Sequence, residues 1–297
     1  MKCDLCPRKC LVDRKKGEKG ICGQTENLKV ARAALHFWEE PCISGDAGSG
    51  AVFFSGCPLH CVFCQNENIA NGTVGKEISL ERLVDIFLEL QEKRANNINL
   101  VTPGHFVPQI VKALDQARKE GLTLPVVYNT SSYETVDTIK MLEGYVDIYL
   151  PDFKYMSPVL SKKYSHAPDY AEVAKAAIAE MVRQTGKAVF VNGDEDNLIL
   201  SGTIVRHLTL PGCMADSMQI LKYLHDTYGD MIYISIMNQF TPLSNLEKYP
   251  ELNRRITDEE YETLVDYAID IGIENGFVQE GDTAEESFIP AFDCEGV

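Results

Sequence analysis

A chain of 297 residues with 45% hydrophobic and 24% charged side chains is long enough for a sizeable core, built as one large α/β domain with an appendage or as two domains. Its net charge of −16 argues against nucleic acid or an anionic membrane as the main partner, no apolar run is long enough to span a bilayer, and the start carries no signal-peptide pattern. Ten cysteines in such a chain point to metal binding in a reducing cytoplasm rather than to a disulfide frame.

The charge is uneven. Residues 1–50 carry 9 Lys/Arg against 7 Asp/Glu, a net of +2, which leaves −18 on residues 51–297. Beyond Arg255 there are 13 acidic residues and no Lys or Arg. That tail reads as a solvated acidic face or as a docking surface for a basic partner.

Residues 1–50 form a distinct front section. Cys3, Cys6, Cys10 and Cys22 stand at C-x2-C-x3-C-x11-C, with Gly17, Gly20 and Gly23 available for tight turns. Four thiolates at those spacings suit a structural zinc or an iron–sulfur cluster equally. Such a site would staple a segment too short to bury a core of its own; electron relay is the other role. Lys9, Arg14, Lys15, Lys16 and Lys19 would offset the thiolate charge or be solvated. Residues 24–50 read as a connector whose VARAALHFWEEPC portion packs on the following domain. Within it His36 and Trp38 read as packing residues and Cys42 as a buried thiol.

Residues 51–297 form the second unit. Ala51 to Phe54 is a buried strand that stops at Ser55-Gly56. Cys57, Cys61 and Cys64 follow at C-x3-C-x2-C on the loop leaving its carboxyl end, where ligands collect in parallel α/β sheets and barrels. Tetrahedral zinc usually takes a fourth protein ligand, whereas an iron–sulfur cube held by three cysteines keeps one iron free.

Strands and helices then alternate. Ser79 caps a helix with Leu80, Leu83, Val84, Phe87 and Leu90 at helical spacing. A strand at 98–103, a helix at 107–120, a strand at 124–129, a helix at 133–143, a strand at 146–152 and a helix at 170–185 follow. Residues 187–202 read as a hairpin around GDEDN. The alternation resumes with a strand at 203–212, a helix at 215–228, a strand at 231–239 and a helix at 258–271, which Thr257 and Glu260 open with a capping box. A short tail strand at 276–279 closes the series. One crossover per strand pair implies parallel strands and right-handed connections.

The cluster-loop wording C-x3-C-x-aromatic-C, with Phe63 as the aromatic, resembles the signature of the radical S-adenosylmethionine (SAM) superfamily. CQNENIANGTVGKEISLERLVDIF is similar to the corresponding stretch of the pyruvate formate-lyase activating enzymes, and the whole chain resembles uncharacterised homologues of that group. The resemblance implies a partial (β/α)6 TIM-type barrel over residues 51–297, preceded by the small cysteine-rich segment. Cys57, Cys61 and Cys64 would hold a 4Fe-4S cluster whose fourth iron is chelated by SAM. Reductive cleavage would give a 5′-deoxyadenosyl radical that abstracts hydrogen from a substrate, with the electron supplied by a flavodoxin or ferredoxin. Activation of a glycyl radical enzyme is the leading function on this resemblance. Radical modification of a peptide or small molecule, or a non-catalytic iron–sulfur or zinc protein, are the alternatives.

The resemblance also assigns the strand ends. Phe63 would pack near the adenine, and Asn66 belongs to the same loop. Thr102 and Gly104 stand where the group has G-G-E; this chain lacks the acid, leaving backbone carbonyls to accept from the SAM ammonium. Asn129 and Ser131 stand in the group's D-T-N run, with an amide in place of the acid. Asp152 and Lys154 match its D-x-K motif: Lys154 would pair with the SAM carboxylate, and Asp152 would orient it or help hold a cation. An ordinary surface ion pair is the plainer reading of those two. Arg206 would reach the same carboxylate, while His207, alternating to the other side, reads as a satisfied structural histidine. Gln239 stands where the group has a polar residue near the cofactor, and Cys213, after the turn at the barrel mouth, reads by default as a buried thiol, with a substrate-facing thiol as the alternative.

Overall fold

Parallel pairing, which that alternation demands, dominates the architecture of the computed structural model, which describes residues 2–195, 197–243, 246–279 and 290–297. The front section contributes β1 (Leu28–His36) and α1 (Pro41–Ser44); β2 (Ser49–Phe54), α2 (Glu67–Ala70) and β3 (Lys76–Ile78) surround the cysteine loop. Then come α3 (Leu80–Glu92), β4 (Ile98–Val101), α4 (Val107–Lys119), β5 (Val126–Thr130), α5 (Val136–Lys140), β6 (Ile148–Pro151), α6 (Pro158–Ser165) and α7 (Tyr170–Thr185). The chain continues through β7 (Val189–Phe190), β8 (Ile199–Leu208), α8 (Met214–Tyr228), β9 (Tyr233–Met237), α9 (Asp258–Asp270) and β10 (Gly276–Val278).

The sheet runs in the order β10-β9-β8-β6-β5-β4-β2-β1-β3, with β7 paired to β8. From β2 to β10 every neighbouring pair along that order is parallel. The strands β2, β4, β5, β6, β8 and β9 are the six expected of a partial (β/α)6 barrel. The sheet does not close on itself: its ends are β10 and the antiparallel pair β1 and β3. Helices cover the convex face. Leu83, Val84, Phe87 and Leu90 of α3 and Ile110, Ala113, Leu114 and Ala117 of α4 bury the sides of their helices that face Val52, Leu100 and Tyr128, as apolar residues at i, i+3, i+4 and i+7 require.

Four departures from the sequence reading have local causes. Residues 28–36, taken as connector, are the longest antiparallel strand, and they pair with β2. The hairpin placed at 187–202 has a first arm of only two residues, and its second arm is already β8. Gly202, at φ +144, passes so close to Ala188 that a Cβ would meet it at 2.8 Å, so the chain runs on without a break. Helix 133–143 shrinks to α5, because Thr135 accepts from the Thr138 amide at 3.2 Å and sets a later start. Residues 158–165, unassigned because Lys162, Lys163 and Ser165 masked any apolar face, form α6, capped by Ser157 with Pro158 in the first turn.

The concave side is filled from below. Cys42 and Ile43 of α1 join Val127, Ile148, Leu150, Ile204 and Tyr233 in an apolar floor. Phe292 packs against Phe53 at 5.4 Å between ring centroids. Of the acidic tail, Asp293 and Glu295 pair with Arg32; Glu280, Asp282, Glu285 and Glu286 lie outside the described residues, as does Asp196 of the expected hairpin turn. Cys213 is a buried thiol at the start of α8 in the helix–sheet core, as the default reading has it.

Candidate active site

Above the apolar floor lies a cavity of about 650 Å³. The three cysteines of the loop after β2 line it, together with Phe63, Asn66, Thr102, Asn129, Ser131, Asp152, Lys154, Arg206 and Gln239. Of the candidates named from sequence, Gly104 is the exception. It sits in a 3-10 turn (Gly104–Phe106) against the buried Glu134 carboxyl, which a Cβ would meet at 2.8 Å, and it is absent from the cavity wall. Glu134 itself, which no local pattern singles out, accepts from the Tyr128 hydroxyl at 2.7 Å and from Thr130.

The loop is held from three sides. Ser55 donates to the Val74 carbonyl, Gln65 donates to the Gln239 carbonyl at 2.7 Å, and the Val62 amide donates to the Tyr164 carbonyl at 2.9 Å. Phe63 is buried between Tyr155 and Phe240, with ring centroids 6.5 and 6.1 Å away. Ser165 donates to the Cys61 sulfur at 2.9 Å, and its oxygen lies 2.8 Å from the Tyr155 hydroxyl. Thr102 lines the same cavity at φ 55, a left-handed conformation that costs a β-branched residue on the order of 1–2 kcal/mol. Its amide donates to the Asn129 carbonyl at 2.9 Å, which helps hold it there.

Burial pushes the thiols up, Cys57 to about 11 and Cys64 to about 12, and for both the neighbouring Cys61 adds to the rise. Lys154 works the other way on all three. A lysine at this depth loses charge to desolvation, yet Asp152 and Cys61 together hold its pKa above the usual value. Its ammonium is 2.6 Å from Asp152 Oδ2. Asp152 is likewise opposed by burial, but the cations Lys154 and Arg206 keep it below the ordinary carboxylate range.

Arg206 is the hub of this wall. Its Nε donates to Asp152 Oδ1 at 3.0 Å, its Nη1 to Glu39 Oε2 at 3.0 Å and its Nη2 to Asn129 Oδ1 at 2.7 Å. Glu39 also accepts from Asn99 at 3.0 Å and from Asn129 at 3.1 Å. The sequence reading missed Glu39 and its neighbour Glu40, because both lie in the supposed connector; an acidic pair just before Pro41 was the only available signal. His36, also on the wall, packs edge-on against Phe53 at 6.0 Å. His207 faces away from the cavity, between the Phe153 carbonyl and the Ser217 hydroxyl at 2.8 Å each, as a buried structural histidine.

The front cysteines gather beside this loop. Gly20 lies between the Cys10 and Cys22 sulfurs, which a Cβ there would meet at 3.1 and 3.5 Å. Cys6 is pushed up to about 12 by burial and also by Cys22, Cys3 and Cys10. Among the described residues no group of three or more Cys, His, Asp or Glu side chains stands ready-assembled around a single ion. Three thiols of one loop and a lysine on the wall of the same roomy cavity suit a 4Fe-4S cluster with one open iron.

A family profile for the Radical SAM superfamily matches residues 51–197. The chain is 27% identical over 275 residues to the uncharacterized protein MJ0674 of Methanocaldococcus jannaschii, covering 90% of this chain and 74% of that one. Among solved structures it is similar to methylornithine synthase (PylB; TM-score 0.52, 14% identity) and to HydG, a maturase of the FeFe-hydrogenase (0.51, 15%). It is also similar to Streptococcus suis SuiB bound to its precursor peptide SuiA (0.51, 11%). These matches cover 80%, 78% and 76% of this chain but only 66%, 52% and 47% of the other chains, and they show a shared fold. The profile match, which spans the cysteine loop and the parallel strands from β2 to β6, assigns residues 51–197 as a radical SAM domain.

Proposed function

We propose that the protein is an enzyme that binds SAM at the mouth of this cavity and removes a hydrogen atom from a substrate seated beneath it. Cys57, Cys61 and Cys64 would hold a 4Fe-4S cluster, which when bound supplies the electron that splits SAM into methionine and the adenosyl fragment that takes the hydrogen. The observation that carries the reading is Lys154, an ammonium kept charged inside the same wall as three half-buried thiols. A carboxylate approaching three thiolates meets a negative field, and Lys154 offsets it while Asp152 fixes its direction. Phe63 presents an apolar ring to an adenine, and Asn66, Thr102, Asn129, Ser131 and Gln239 offer polar atoms around it. Arg206 keeps Asp152 charged and in place; with all three nitrogens engaged, it reaches SAM only by giving up one of those partners.

Free thiols at all ten cysteines accord with a reducing cytoplasm, where a flavodoxin or ferredoxin would supply the electron. No helix among the described residues is long and apolar enough to cross a membrane. Glycyl radical proteins are the substrate class to test first, on the C-x-N and G-K-E stretch after Cys64; a peptide or small molecule is the alternative. Anaerobically reconstituted and reduced protein is expected to release 5′-deoxyadenosine from SAM, and Cys61→Ala to abolish this. Undiminished release by that variant would show that the cluster is held elsewhere.

A further inference from the structure

Glu40 has no task in the scheme above. It stands between β1 and α1, and α1 anchors it by sending Cys42 and Ile43 into the apolar floor. Its side chain lines the cavity, is 8% exposed, and leaves Oε2 without a hydrogen-bonding partner. Burial raises its pKa, Arg206 opposes this, Glu39 adds to it, and the Ser235 hydroxyl lies within reach. Arg206, the nearest cation, is already shared among Glu39, Asp152 and Asn129.

Its depth separates it from the cysteine loop. Ser235 is in register with Arg206 on the neighbouring strand, whereas the loop fastens four residues further on, at Gln239. At ~3.3 Å per residue this is on the order of 13 Å of extended chain. The polar wall between carries three carboxyl groups, Glu39, Glu40 and Asp152, against the two cations Lys154 and Arg206. One carboxyl is therefore in excess, at the bottom, beside an apolar floor that cannot solvate it.

We propose that Glu40, with Glu39 beside it, is the recognition site for a cationic nitrogen of the substrate, a primary ammonium or a guanidinium, held below the SAM site. The proposal rests on the reading of this cavity as a radical SAM active site. A cation placed there completes the charge pairing of the wall and orients the neighbouring carbons of the substrate toward the cysteine loop. A substrate with an anionic group at that end would face two carboxyl groups and be excluded.

The test uses cluster-reconstituted, SAM-loaded protein before reduction, titrated with n-butylammonium, n-butanol and n-butyrate as probes of equal length. Trp38, the one tryptophan of the chain, lines the cavity and reports binding by its fluorescence, with calorimetry as a second readout. Butylammonium is expected to bind at least tenfold more tightly than the alcohol and the carboxylate, and Glu40→Gln to erase that preference while Glu40→Asp keeps part of it. Equal affinity for the three probes in the natural protein overturns the proposal, and settles it even should Glu40→Gln not fold. Retention of the preference by folded Glu40→Gln also overturns it. So does a loss of SAM affinity in that variant as large as the loss for butylammonium, which would make Glu40 part of the SAM site. Failure of the natural protein to cleave SAM would instead overturn the reading of the cavity itself.

Discussion

Lys154 and Lys163 each stand 2.6 Å from a carboxylate, that of Asp152 and that of Glu251, yet their surroundings differ. The first pair has side chains 16% and 14% exposed, the second 45% and 36%. Water screens the second, which is worth about 0–1 kcal/mol. Lys154 is instead held where a ligand carboxylate would meet it largely desolvated, in a contact worth roughly 1.5–3 kcal/mol. Lys154→Ala is expected to weaken SAM binding by about tenfold to a hundredfold, at ~1.4 kcal/mol per decade, with little loss of stability. Arg206→Ala should do both, since Asp152 keeps Lys154 but Glu39 is left as a buried charge without a cation, a loss of about 3–5 kcal/mol. Lys163→Ala is the control. Anaerobic SAM titration beside chemical denaturation separates the three, and equal SAM affinity in all of them would move the cofactor away from Lys154. His207 yields a pH signature at the same scale. Burial pushes its pKa down to about 4, against the Phe153 carbonyl, which favours the charged form. Its ordinary value is 6.5, so between those values the unfolded chain binds the proton and the folded one does not, and stability must fall as pH drops through that window, by up to ~1.4 kcal/mol per pH unit. His207→Gln should flatten that part of the stability–pH curve measured by denaturation; an unchanged slope would mean that the imidazole is charged in the fold.

At the scale of elements, legibility followed the strength of the local signal. The strands β2, β4, β5, β6, β8 and β9 and the long helices α3, α4, α7, α8 and α9 announce themselves by period and by caps such as Thr257 with Glu260. β1 was hidden because LKVARAALH (28–36) mixes two cations into an apolar run, and its role depends on a partner strand that sequence spacing cannot name. That omission also concealed Glu39 and Glu40, which reach the cavity only because β1 returns beside β2. Nor could spacing show how closely the front section lies on the cysteine loop. Gly56 records that approach: it sits at φ +95, and a Cβ would meet the Cys22 carbonyl oxygen at 2.4 Å. Gly56→Ala therefore incurs both left-handed strain and a backbone clash, about 1–3 kcal/mol from the first alone. The variant is expected to lower the thermal midpoint and to weaken iron retention at Cys57, Cys61 and Cys64. Gly144→Ala, at φ +80 with nothing within 4 Å, isolates the strain without the clash. Equal losses in the two variants would show that the contact with Cys22 contributes nothing.

Across the whole molecule, the front section is fastened to the loop that leaves β2 and to the α5 and α6 region beside it. Arg8 donates to the carbonyls of Pro58, Ser165 and His166 at 2.9, 3.0 and 2.6 Å and lies 5.1 Å from the Tyr133 ring centroid. Arg14 is buried, not solvated as one sequence reading had it; it donates to the Thr25 and His105 carbonyls and lowers the cost of charge on Cys22. The Leu5 carbonyl accepts from Thr138 at 2.7 Å. These contacts hold the segment from outside, but its own interior offers little. Lys9 and Leu11 sit at φ 41 and 54, and among the described residues there the four cysteines are the cluster of side chains suited to bind the turns together. We propose that a zinc ion or a second iron–sulfur cluster takes their four thiolates and staples the segment, whose folding then depends on the metal. Cys6→Ser should release that metal, identified as zinc or iron by elemental analysis, while leaving the cluster at Cys57, Cys61 and Cys64 in place. At this chain length each kcal/mol moves the midpoint by ~2–4 °C, so loss of a staple of several kcal/mol should lower it by on the order of 10 °C. Loss of metal with an unchanged midpoint would exclude stapling. It would favour electron relay instead, for which the placement of Cys22 against Gly56 of the cysteine loop is equally suited.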